Sequence, residues 1–134
     1  MFLEINLESE IPIYTQIRNE IIKGIALGQL VEGDGLPSVR QMAIDMGINM
    51  HTINKGYNFL KQEGFLSIHR RKGVVVNGPD KYRYNAAFLE ILTENLSPII
   101  IEAYTRGVRT DTIERVIKKI LLSVSVPVEG GDHD

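Results

Sequence analysis

The triplet Gly47-Ile48-Asn49 narrows what this chain can fold into more than any other feature, because it breaks two amphipathic stretches with a tight turn. Upstream lies Leu36-Pro37-Ser38-Val39-Arg40-Gln41-Met42-Ala43. Ser38 is placed to cap a helix there, with Gln41 three residues on to close a capping box, and Met42 and Ala43 pointing inward. Gly47 can take the left-handed conformation that ends this helix, and Asn49 can cap the next. The second helix is predicted from about Met50 to Glu63, stopping at Gly64. Its apolar positions Ile53, Tyr57 and Leu60 recur at i, i+4 and i+7. His51, Thr52, Asn54, Lys55, Asn58 and Lys61 are left around the start and outer face. Beyond it, Phe65-Leu66-Ser67-Ile68 and Val74-Val75-Val76 are β-prone runs that bracket Arg70-Arg71-Lys72-Gly73, a hairpin whose tip is nearly all cation. A helix-turn-helix presents its second helix in this way, with polar residues at the N-terminal end free to meet base edges.

The segments Leu36-Pro37-Ser38-Val39-Arg40, Gly47-Ile48-Asn49, Thr52-Ile53-Asn54-Lys55-Gly56-Tyr57, Leu60, Glu63-Gly64-Phe65-Leu66 and Lys72-Gly73, in this order and spacing, resemble the winged-helix signature of the GntR family of bacterial transcription regulators. The resemblance spans residues 10–77, and the short tail after it is similar to that of the family's YtrA-like branch. It implies a very short strand at Leu36 joining the wing sheet, and a DNA-contacting arginine at Arg40. It also implies a bacterial regulator whose partner is a double-stranded DNA operator. Larger members carry a long effector domain, for which this tail is too short. A small-molecule effector is compatible with the resemblance, but no residue identifies one. There are two departures from the family pattern. Met50 stands where many relatives have proline or arginine, and is assigned no base contact. Val74-Val75 replace a small residue and an aromatic in the second wing strand, which should alter packing more than charge.

Composition sets the outer bounds. The chain has 134 residues and no cysteine, so disulfide scaffolds, thiolate zinc sites and cysteine nucleophiles are excluded. The start Met1-Phe2-Leu3-Glu4-Ile5 lacks a basic region followed by an apolar run, and no stretch is long enough to span a bilayer, so a cytoplasmic protein without membrane contact is expected. The formal net charge of −2 argues against nucleic acid at first sight. Its distribution matters more, because residues 36–77 hold six basic side chains against Asp45 and Glu63. A local basic stripe on an acidic body is compatible with specific DNA binding.

The remaining chain organises around this stretch. Residues 1–11 carry Ile5, Leu7 and Ile11 among polar residues, in the manner of an extended arm packing back on the domain. In the first helix, Pro12 fits position N1, and Tyr14, Ile17, Ile21 and Ile25 mark one face down to Gly28. Asn77-Gly78-Pro79-Asp80 closes a winged helix-turn-helix domain at residues 1–79. Residues 80–125 form a helical dimerisation region, and residues 126–134, rich in Gly and Asp, are expected to be disordered. The fold class is therefore α+β, mostly α. In the helical region Phe88, Ile91, Leu92, Leu96, Ile99, Ile100, Ala103 and Tyr104 keep one register across Ser97-Pro98, which allows either a kinked helix or a break. Ile113, Val116, Ile117, Ile120 and Leu121 make a second wide stripe. So short a chain cannot hide both stripes, and a homodimer is the economical answer, pairing with a palindromic operator. Packing of the tail on its own winged domain is the alternative.

The DNA-binding residues expected are Ser38, Arg40, Asn49, His51, Thr52, Asn54, Lys55, Arg70, Arg71, Lys72 and Gly73. Arg40 can grip a phosphate or read a guanine edge, unless it merely pairs with Asp45 on the surface. Asn49, His51 and Thr52 sit at the positive end of the recognition helix, where free N–H groups attract phosphate. Asn49 could equally be a cap alone, and His51 a solvated histidine. Asn54 and Lys55 can reach adenine and guanine edges respectively, or simply form a solvated face. The wing cations can follow phosphates or enter a narrowed minor groove. Catalysis has no support. His51, His69 and His133 lack metal-site spacing, no nucleophile or nucleotide motif occurs, and neither metal nor cofactor is expected. The better rival is a winged-helix protein-interaction module without specific DNA binding, which would have no reason to keep the basic turn-helix-wing surface. The reading is a homodimeric transcription regulator, most simply a repressor, acting through recognition helix 50–63 and wing 69–73.

Overall fold

The first helix, α1 (Ile13–Ala26), buries Ile17, Ile21 and Gly24. In the computed structural model, which describes residues 3–125, Pro12 is the N-cap of this helix and not its first residue. Its extended ψ of 144° keeps it outside the helix. From there its carbonyl accepts the Thr15 and Gln16 N–H groups at 3.0 and 3.1 Å. The chain divides into two compact units, Met1–Tyr82 and Arg83–Asp134.

In the first unit, β1 (Gly35–Leu36) leads into α2 (Val39–Met46) and α3 (Met50–Gln62), followed by β2 (Leu66–His69) and β3 (Gly73–Val76). The break between α2 and α3 forms as its residues dictate: Gly47 adopts φ 66°, and the Asn49 side chain accepts the His51 N–H at 2.7 Å. The capping box is only half made. The Ser38 hydroxyl accepts the Gln41 N–H at 3.1 Å. The Gln41 amide does not reach back to Ser38 but donates forward to Asp45 at 2.7 Å, because a residue four positions on shares its face of the helix.

The strands form an antiparallel sheet in the order β1-β3-β2, with Val74 opposite both Leu36 and Ile68. The two-residue strand at Leu36 thus joins the wing sheet. Ile17, Ile21, Leu36, Met42, Ile53, Tyr57, Leu60, Leu66, Val74 and Val76 close one core, and no polar or charged side chain among the described residues is buried with them. Each large side chain so buried contributes about 1.5–3 kcal/mol. At α3 the periodicity delivers Ile53, Gly56, Tyr57 and Leu60 to this core. Tyr57 ties its phenol to the chain before α2 by donating to the Pro37 carbonyl at 2.8 Å. Burial pushes that phenol's ionisation well above its ordinary range, so it remains a donor.

The unit continues through a 3-10 turn at Pro79–Lys81 to Tyr82, whose ring stacks on Phe65 with centroids 4.6 Å apart. Gly64, at φ 90°, is required here twice over, because the Lys81 carbonyl lies where a Cβ would go. The arm before α1 is held by Gln16, whose side chain accepts from the Asn6 N–H at 2.7 Å and donates to the Asn6 carbonyl at 3.0 Å. Leu3 and Ile5 pack against the core, whereas Leu7 and Ile11 are exposed.

The second unit holds α4 (Ala86–Thr105) and α5 (Thr110–Ser123). The Asn85 side chain caps α4 by accepting the Phe88 N–H at 2.9 Å. Pro98 lies inside one continuous helix, which sets aside the break. Proline cannot donate back to the preceding turn, and the neighbouring Ser97 hydroxyl donates to the Thr93 carbonyl at 2.7 Å. Gly107, at φ 85°, turns the chain into α5. Neither helix contains a single buried residue. The expected disorder of residues 126–134 falls outside the described residues.

Candidate nucleic-acid interface

The face of α3 turned away from the core presents His51, Asn54, Lys55, Asn58 and Lys61, all exposed, with Thr52 half-buried beside them. No acidic residue occurs in α3, so nothing on the helix neutralises Lys55 or Lys61. Asn49 spends its side-chain oxygen on the cap, leaving its amide nitrogen as the group free to point outward. Met50 is 44% exposed and so does not pack inside.

Arg40 is exposed in the first turn of α2, immediately after the Ser38 cap. Among the described residues no ion pair joins it to Asp45, which is occupied by Gln41. Arg70, Arg71 and Lys72 form the exposed turn of the wing hairpin, with His69 paired to Gly73 across it. Gly73 takes φ 75°, a conformation that lets the chain double back in so short a tip. The structure thus places the cap residues and polar α3 residues on one helix-turn-helix, and the three cations on the adjoining hairpin.

Sequence reasoning missed the residues that hold this surface. Asn77 locks the base of the wing: its amide donates to the Gly64 carbonyl at 2.8 Å, and its oxygen accepts from the Ser67 hydroxyl at 2.6 Å. Its place directly after the last strand residue was the available signal. Tyr14 reads only as a core position in the periodicity of α1, yet its ring lies under the Lys55 ammonium, 4.0 Å from ring centroid to nitrogen. No pattern along the sequence reveals a pairing between helices so far apart in the chain. Among the described residues no three side chains are grouped to hold a metal, and no helix is long and apolar enough to cross a membrane.

Comparison with known proteins gives this geometry a relationship. The family model for bacterial regulatory proteins of the gntR family matches residues 13–76, which run from the start of α1 to the end of β3. The HTH-type transcriptional repressor YtrA of Bacillus subtilis is 31% identical over 129 residues, 96% of each chain. A crystal structure described as a transcriptional antiterminator from Listeria monocytogenes superposes with a TM-score of 0.86 at 25% identity over 96% of each chain. The structure of AraR(DBD) in complex with operator ORX1 matches 57% of this chain and 98% of that one, at 25% identity and a TM-score of 0.50. These are regulators rather than catalysts. With a winged helix-turn-helix, a basic wing and a YtrA relative alike along nearly its whole length, the chain belongs to the GntR family of DNA-binding transcription regulators.

Proposed function

We propose that this protein is a homodimeric repressor that binds a palindromic operator through α3 and the wing tip Arg70-Arg71-Lys72. The observation that carries the reading is the division of α3 into a face sunk in the core and a face of amides and cations with no carboxylate among them. In this reading Asn54 and Lys55 meet base edges, while Arg40, the first turn of α3 and the wing grip the backbone. The dimer rests on the second unit, where Phe88, Leu92, Ile99, Ile113, Val116, Ile117, Ile120 and Leu121 line helices that bury nothing within the chain. A two-fold axis there presents two recognition helices to one duplex. Repression by occupying a promoter accords with the name of the Bacillus subtilis relative.

The test is a selection of genomic DNA fragments with purified protein, followed by titration of the best site at two salt concentrations. The reading predicts a palindrome with half-site centres about one helical turn apart, bound by two chains. Sequence-independent binding that disappears at physiological salt would contradict it, and would favour a winged module whose partner is another protein.

A further inference from the structure

Two cation–aromatic pairs cross between α1 and α3 in opposite senses. Lys55 of α3 places its ammonium 4.0 Å from the centroid of the Tyr14 ring on α1. One turn further along each helix the roles reverse, and Arg18 of α1 sets its guanidinium carbon 5.1 Å from the Phe59 ring on α3. The helices approach this closely because residue 56 is glycine. A Cβ there would stand 3.2 Å from both Ile17 Cγ2 and the Tyr14 carbonyl oxygen. Arg18 Nε is buried with no hydrogen-bond partner, while Nη1 donates to Asn19 at 2.9 Å, so the Phe59 face is a principal contact of this guanidinium.

An exposed lysine ordinarily samples many rotamers and must be ordered when it meets a ligand. We propose that Tyr14 is a positioning residue for DNA recognition: its ring holds the Lys55 ammonium at one place on the α1–α3 edge, so that this lysine meets the duplex already ordered. An ammonium carries three N–H donors. The ring face takes one, and two remain for a phosphate oxygen or a guanine edge. The Arg18–Phe59 pair braces the same helix contact one turn away without touching Lys55. The inference rests on the reading of Lys55 as a DNA contact.

The experiment measures the affinity and salt slope of the full chain on the tightest duplex selected by the unaltered protein. The variants are Tyr14→Leu, Tyr14→Phe, Lys55→Met, Phe59→Leu and the double variant Tyr14→Leu with Lys55→Met. Tyr14→Leu should weaken binding about two- to fivefold, the worth of an exposed cation–π contact, and Tyr14→Phe, which keeps the ring, should restore it. Once Lys55 is methionine, Tyr14→Leu should cost nothing further. Phe59→Leu should lower thermal stability while leaving the salt slope in place. An equal loss from Tyr14→Leu in both backgrounds would overturn the proposal, because the ring would then only pack α1. So would full affinity of Tyr14→Leu beside a weakened Lys55→Met. Should Lys55→Met itself bind like the unaltered protein with the same slope, the reading of Lys55 as a DNA contact is what has failed, and the positioning role falls with it.

Discussion

The two units of this chain are built from similarly apolar sequence and end in opposite conditions. In the winged unit the core-facing isoleucines of α1 and α3 are wholly buried, with Ile17, Ile21 and Ile53 at 0% exposure. In the helical unit the same residue type is left in the open, with Ile99 64% and Ile120 60% exposed. The difference is one of layers. Three helices and a small sheet enclose a volume, whereas α4 and α5 offer each other one line of contact and leave their outer faces bare. An apolar stripe on a helix that buries nothing is unfinished packing. The account assigns its completion to a second copy of the chain.

Ile99→Glu removes one apolar side chain per protomer from the proposed interface and puts a charge in its place. Association should weaken by at least about 100-fold, read by sedimentation equilibrium. An unchanged dimer would move the interface elsewhere. Ile53→Ala attacks the closed core instead, and urea denaturation should show a loss of about 2–5 kcal/mol with association intact. Coupled loss of stability and association would mean that the two regions are not independent. Arg70→Ala with Arg71→Ala should leave stability untouched and flatten the log–log salt slope for DNA by about 1.8 per bound chain, about 3.6 for a dimer on one duplex. An unaltered slope would remove the wing tip from the interface. Ser38→Ala should cost about 1 kcal/mol or less, since it removes one 3.1 Å cap bond at an exposed helix start.

The winged unit was legible because its signals are local. Gly47, Asn49 and Gly64 each fix a backbone conformation through their own chemistry, and the spacing of Ile53, Tyr57 and Leu60 names the buried face without knowledge of its partner. Arg40 and the wing cations could be placed on exposed turns for the same reason. What escaped depends on contacts between segments or on competition between close alternatives. Gln41 chose Asp45 over Ser38, and Pro12 took the cap in place of the first turn. Tyr14 found Lys55 across the α1–α3 contact. In the helical unit the stripes of α4 were readable, but exposed Leu89 and Ile101 widen its apolar surface beyond the residues that periodicity selected. A helix apolar over so much of its circumference does not specify one face, and only its partner can.

The most direct test of the account is the molar mass of the full chain in solution, measured by sedimentation velocity across micromolar concentrations, free and on its selected DNA site. The account predicts twice the 15.1 kDa chain mass when free, and two chains per duplex when bound. A monomer throughout, binding DNA as a single chain, would contradict it, because the faces of α4 and α5 would then remain bare with nothing to complete them.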